Sequence, residues 1–260
     1  MNAYEKPRFQ RSIWLFAVTI IIASAIGFST IAVFSPALAA DDRGKKSEVV
    51  KPSEIVFGKS YEELAAGWVN WIQKEPPETS PAFDTTGVFC ELNQRGKFWY
   101  LAGTFSGIAE RRCEVPAGKA IFFPIINFIS FAPEFPEAGD PCASLNTTVE
   151  QVRCDVNEDI NVVVGPAPDL VLRVVLDGNP VADPFAYRVQ SRPGGFVFQS
   201  GPLFEAFGIT SGPRPEAVLD GYWILLRPLK PGIHQLSFSA DSPNLGLSGA
   251  NFTLVVGGHR

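Results

Sequence analysis

Histidine limits what chemistry this 260-residue chain can do, because His234 and His259 are the only two. Nucleophilic serine chemistry needs a base to take the hydroxyl proton, usually a histidine. His259 is the penultimate residue. His234 shares strand parity with Leu236 and Phe238, which turns it toward a core and a bonding neighbour. No G-x-S-x-G elbow is present. Zinc, which takes about three protein ligands, is equally short of them. Calcium is chemically closer, because Asp155, Asn157, Asp159 and Asn161 alternate oxygen side chains as calcium loops do. Ile160 stands where such a loop needs glycine, and Pro166 where it needs its last glutamate. Asp155, Asn157 and Asp159 are thus candidate calcium ligands, with an exposed acidic turn as the plainer reading.

Carboxylate pairs could hydrolyse a glycoside while aromatic rings grip the sugar. Asp84, Glu110, Glu114 and Asp220 are the carboxylates to consider, with Trp99 and Tyr100 near them in sequence. Glu110-Arg111-Arg112 reads equally as a solvated ion-pair turn. Asp84, Gln94, Arg112, Lys119 and Asn127 lie among Phe and Trp, and must be paired if buried. They either line a concave ligand site, together with Trp99, Asp220 and His234, or form a network bracing a disulfide.

The four cysteines, Cys90, Cys113, Cys142 and Cys154, lack C-x-x-C spacing and histidine partners, which favours disulfides over a metal. Three pairings are possible, of which Cys90–Cys113 with Cys142–Cys154 is the least entangled. The N-terminus fits the same compartment. Lys6, Arg8 and Arg11 precede an uncharged run from Ser12 to Ala40 that ends in Ala37-Leu38-Ala39. This reads as a signal peptide over 1–39, the alternative being an uncleaved anchor. Removing three basic residues and one acidic one leaves 19 Lys+Arg against 26 Asp+Glu, a charge of −7. That balance disfavours nucleic acid as a partner.

Residues 40–56 read as a polar linker, and 57–260 as a single β-rich globular domain. Ser60-Tyr61-Glu62-Glu63 is a capping box, and Leu64, Ala65, Trp68, Trp71 and Ile72 recur on one helical face before Pro76-Pro77 ends it. Extended runs follow at Val88–Cys90, Phe98–Ala102 and Lys119–Ile126, then at Leu170–Leu176, Tyr187–Gln190, Phe196–Phe198, Tyr222–Leu226, His234–Phe238 and Phe252–Val256. Asp177-Gly178 marks a tight turn and Pro228–Gly232 a corner between two sheets. Residues 132–159 read as an excursion held by the second disulfide. The expected fold is mainly β, an antiparallel β-sandwich or jelly roll with one amphipathic N-terminal helix.

Several motifs recur together. They are the Trp68/Trp71 helix, Asp84-Thr85-Thr86-Gly87, Trp99-Tyr100-Leu101-Ala102-Gly103-Thr104, Arg112-Cys113-Glu114-Val115-Pro116-Ala117-Gly118-Lys119 and Leu229-Lys230-Pro231-Gly232-Ile233-His234. In these the chain resembles a group of exported bacterial proteins of uncharacterised function. The resemblance implies export and the first disulfide, and brings no catalytic residue. The expected role is a periplasmic or secreted binding or structural protein, whose partner is a small molecule, a glycan or an extracytoplasmic protein. Membrane contact is expected only through an uncleaved N-terminal segment. The rival is a secreted ester, lactone or glycoside hydrolase using carboxylates, with calcium as its one conceivable cofactor.

Overall fold

The computed structural model describes residues 48–132, 141–165 and 168–257; the expected signal peptide over 1–39 and most of the expected linker lie outside them. The elements are β1 (Val49–Val50), α1 (Tyr61–Ile72), β2 (Phe98–Tyr100), β3 (Gly107–Val115), β4 (Ala120–Ser130), α2 (Thr148–Glu158), β5 (Val171–Leu176) and β6 (Asn179–Pro180). They continue with β7 (Arg188–Gln190), β8 (Phe196–Ser200), α3 (Pro202–Glu205), β9 (Gly212–Leu226), β10 (Gly232–Ser242) and β11 (Gly246–Val256). Among the described residues no helix is long and apolar enough to cross a membrane.

Two sheets pack face to face. In the first, β9 has β4 along one edge and β1, β7 and β8 in turn along the other, and β2 extends β4. The second runs β3-β11-β10-β5-β6. The burial patterns explain the layering. β10, β11, β3 and β5 alternate, which is the mark of a sheet with one wet face. The apolar runs of β4 and β9 are buried on both faces. Ile121, Phe123, Ile125, Tyr222, Ile224 and Leu226 meet Leu236, Phe238, Phe252 and Leu254 of the second sheet. Phe122, Trp223 and Leu225 point the other way, onto Tyr61, Leu64, Trp68 and Val69 of α1.

The predicted helix is present with both halves of its capping box, and the Asp177-Gly178 turn takes positive φ at both residues (49° and 78°). The Pro228–Gly232 corner carries the chain from the first sheet to the second. The sandwich is as expected, but two pairings, β2–β4 and β3–β11, are parallel. β3 and β4 are joined by four residues yet lie in different sheets, so β3 is free to pair with the last strand instead of its sequence neighbour. Two local expectations fail: residues 88–90 are turn, and Glu110-Arg111-Arg112 is strand rather than a solvated turn. The 132–159 excursion is closed by Cys142–Cys154 as expected, and its described part also contains α2. The linker is also shorter than expected. From Glu48 it joins the fold, where Val49 and Val50 pair with Leu226 and Leu225, and Tyr61 donates its hydroxyl to the Val50 carbonyl at 2.6 Å.

The outer edges of the first sheet are closed by side-chain amides. Gln94 donates to the Tyr100 carbonyl at 2.7 Å and accepts from the Tyr100 N–H at 2.9 Å, as a neighbouring strand would. Asn70 does the same for β8, donating to the Val197 carbonyl and accepting from the Gln199 N–H. Unpaired strand edges invite aggregation, and both amides cover theirs.

Candidate functional site

β3 alternates inward at Ala109, Arg111, Cys113 and Val115, so a guanidinium enters the sandwich. Arg111 donates Nε to the Asp84 carbonyl at 2.6 Å and Nη1 to the Ala102 carbonyl, faces the Gly103 carbonyl at 3.5 Å, and lies over the Phe252 ring. Burial lowers its pKa to about 10, with the Asp84 carboxylate opposing the shift, so it stays a cation at neutral pH. The Asp84 carboxylate is itself filled. Oδ1 accepts from Thr86 N–H, Thr86 hydroxyl and Gly87 N–H, and Oδ2 accepts from Phe89 N–H, all at 2.8–3.0 Å. Burial pushes this carboxyl up, but those four bonds to the charged form outweigh it and hold the pKa below the usual range. The space left beside Arg111, Asp84, Trp71 and Tyr100 is about 10 Å³, at most one water.

These groups fasten two loops. Cys90–Cys113 ties the 84–90 loop to β3. Gly87, at φ 94°, sits so close that a Cβ would lie 2.2 Å from the Arg112 carbonyl. The Thr104 hydroxyl has the Gly107 carbonyl at 2.6 Å and the Gly249 carbonyl at 3.0 Å as alternative acceptors for its one proton, and accepts from the Gly249 N–H, pinning the other loop to β11.

Each fastened loop then turns a phenylalanine outward. Phe83 precedes Asp84, and Phe105 follows Thr104; they are 44% and 62% exposed, yet their rings meet at 5.1 Å. Phe207, after α3, is 6.3 Å from Phe105. Ile108 and Leu247, at the starts of β3 and β11, are exposed too. Beyond Phe207 an open depression is lined by Glu205, Gly208, Ile209, Thr210 and Ser211. Singly exposed apolar residues are ordinary on a protein surface, whereas rings clustered into one exposed patch mark a contact surface.

A second polar group lies under α2. Asp220, fully buried, accepts Nε and Nη2 of Arg188 at 3.0 and 2.7 Å, and Gln190 at 3.2 Å. Arg188 also donates to Asn161, and Gln190 to Asn157. Ser130 donates to Asp155. The residues read as calcium ligands are therefore helical, and alternate positions on a helix stand about 200° apart. Asn157 and Asn161 bond β7, Asp155 bonds β4, and the four do not form a loop around a centre. Burial, with Asp155 and Glu158 adding repulsion, raises the Asp159 carboxyl to about 7. Among the described residues, the carboxylate, thiol and imidazole groups that do converge are Cys142, Cys154 and Glu158, and those two sulfurs are bonded to each other.

The other predicted residues are dispersed. Gln94 closes β2, and Lys119 donates to the Gly96 carbonyl. Trp99 is in the core, and Asn127 pairs across from Gly221, where a Cβ would meet it at 2.6 Å. Arg112 is exposed; its neighbour Arg111 takes the buried place. Asp84 and Asp220 belong to separate networks, and Glu110 is exposed and accepts from Asn251. His234 faces Asp177 Oδ2 at 2.6 Å and the Lys230 carbonyl at 2.9 Å. Both partners are acceptors, so the imidazolium satisfies both. Burial alone would lower its pKa, but the Asp177 and Lys230 bonds raise it. Arg111 was findable from its parity with Cys113. Phe83, Phe105 and Phe207 leave no periodic signal, only single rings among Ser, Thr and Gly.

The chain is thus a mainly β, two-sheet sandwich stapled by two disulfides, which point to an oxidising, extracytoplasmic setting. No family model and no curated protein matches it. A solved structure similar to it is that of PbICP-C in complex with falcipain-2, at 9% identity and a TM-score of 0.20, covering 62% of this chain and 99% of that one. A likeness that low carries no argument about partner or activity.

Proposed function

We propose that this is an exported binding protein that recognises an extracytoplasmic protein through the platform of Phe83, Phe105 and Phe207. The reading is carried by one juxtaposition. A buried arginine, a four-fold-bonded aspartate, a threonine bridge and a disulfide fasten two loops that then leave their aromatic rings in water. Loops held in advance lose little entropy on binding, so exposed rings there contribute more of their contact energy. The exposed rings lie on the surface near an open depression, and the space next to Arg111 is only about 10 Å³. This favours a macromolecular partner over an enclosed small ligand.

The test is to place a photo-crosslinking phenylalanine at position 105 and, as control, at Ile233, which is 67% exposed on another part of the surface. Both proteins are irradiated with the host's extracytoplasmic fraction. The expected outcome is a discrete protein adduct at 105, absent at 233 and lost when Phe83→Ser and Phe207→Ser are added. Equal labelling at both sites contradicts the proposal. So does turnover of an ester, lactone or glycoside that Asp84→Asn or Asp220→Asn abolishes in a folded protein.

A further inference from the structure

The two disulfides sit in unlike surroundings. Cys90 and Cys113 are both buried within the main core between the sheets. Cys142–Cys154 joins the turn at Pro141–Ser144 to α2, and Cys154 is partly exposed on that helix. α2 itself covers the far end of the first sheet with a small apolar contact, Val152 and Val156 on Val218 with Phe128 and Val149 packed beside them. The rest of its grip is polar: Ser130 to Asp155, Gln190 to Asn157, and Arg153 to Gln190 and to the carbonyls of Ser191, Arg192 and Pro193. An element with little apolar anchorage opens locally at a fraction of the global free energy.

We propose that Cys142–Cys154 is a redox-exchangeable clasp, whose reduction in the native protein releases α2 from the sheet while Cys90–Cys113 stays closed. A thiolate of a dithiol reductant bonds the sulfur of the partly exposed Cys154, the Cys142–Cys154 bond breaks, and Cys142 leaves as thiolate and takes up a proton. The reductant's second thiolate then attacks its own sulfur in the mixed disulfide, and Cys154 leaves. Two electrons pass to the protein, and the reductant ends as a disulfide. The sandwich keeps its buried disulfide, and what loosens is the cover over Asp220 and Arg188.

The oxidised full-length protein is treated with millimolar dithiothreitol without denaturant, new thiols are alkylated over time and mapped, and hydrogen exchange is followed by peptide. Cys142 and Cys154 are expected to become alkylated about 100-fold faster than Cys90 and Cys113, as local opening outpaces global unfolding. Peptides over 148–158 are expected to lose protection while those of β9–β11 keep it. The double variant Cys142→Ser/Cys154→Ser is expected to show the same exchange pattern without reductant. Simultaneous reduction of both disulfides, earlier reduction of Cys90–Cys113, or unchanged protection of α2 in the reduced protein or the double variant would each overturn the proposal.

Discussion

The first sheet is covered in two ways along the same two strands. Toward Leu226, α1 lays Tyr61, Trp68 and Val69 onto Phe122, Trp223 and Leu225, with Trp68 and Trp223 edge to face at 5.6 Å. The indole of Trp68 still finds a partner, the Leu101 carbonyl at 2.7 Å. Toward Val218, α2 offers a few valines and a lattice of Asn, Gln, Arg and Asp. Burial of aromatic area stabilises strongly and says little about exact placement, whereas a bonded polar lattice adds little net stability and fixes geometry. One half therefore holds the molecule together, and the other sets where a helix sits.

Mutations can break that contrast. Trp223→Ala is expected to cost about 3–5 kcal/mol, read by urea unfolding, with the whole molecule losing stability together. Val156→Ala is expected to cost about 1–2 kcal/mol, with the added hydrogen exchange confined to α2. Comparable global effects from the two would erase the distinction.

Asp220→Asn leaves Arg188 half-satisfied. Because that arginine is a third exposed, the expected loss is about 2 kcal/mol rather than the larger figure for a fully buried pair. The double replacement Asp220→Leu/Arg188→Met is expected to be nearly neutral for stability while shifting the position of α2, visible as NMR shift changes over 155–161.

Protons sharpen the picture further. The Asp159 carboxyl, raised to about 7, is held neutral in the fold but ionises readily when unfolded, so it withdraws stability as pH climbs from its unfolded value toward 7. Asp159→Asn is expected to stabilise by about 1–2 kcal/mol at roughly pH 8, with no gain near pH 4. His234, with its pKa raised, contributes stability that is complete below the unfolded value and lost as pH rises through the folded one. His234→Gln is expected to cost under about 1 kcal/mol in mild acid and nothing in alkali. A loss that persists in alkali would assign His234 a packing role instead.

The half of the fold built on apolar periodicity was readable in advance. α1 follows from Ser60, Glu63 and the tryptophan spacing, and the hairpin after β5 follows from Asp177-Gly178. β3 was hidden because its inward Arg111 is not apolar, so that only its parity with Cys113 marks it as a core position. α2 was hidden because its few inward valines are interrupted by Asp155 and flanked by Arg153 and Asn157, although Thr147 and Glu150 form a capping box like that of α1. The oxygens at 155, 157, 159 and 161 suggested a loop because alternation looks periodic in sequence, and the helix sends them to different neighbours. Gln94, Lys119 and Asp84 were singled out as polar groups in apolar company. They are so placed because each bonds the main chain, which sequence spacing does not distinguish from lining a pocket.

Rigid presentation of exposed rings is what the proposed recognition depends on, and backbone ¹⁵N relaxation reads it directly. Residues 83–87 and 103–106 are expected to give order parameters of about 0.85, matching the strands of the sandwich. Values below about 0.6 would mean that the rings at 83 and 105 ride on mobile loops, and that the bonds of Arg111, Asp84 and Thr104 build no platform.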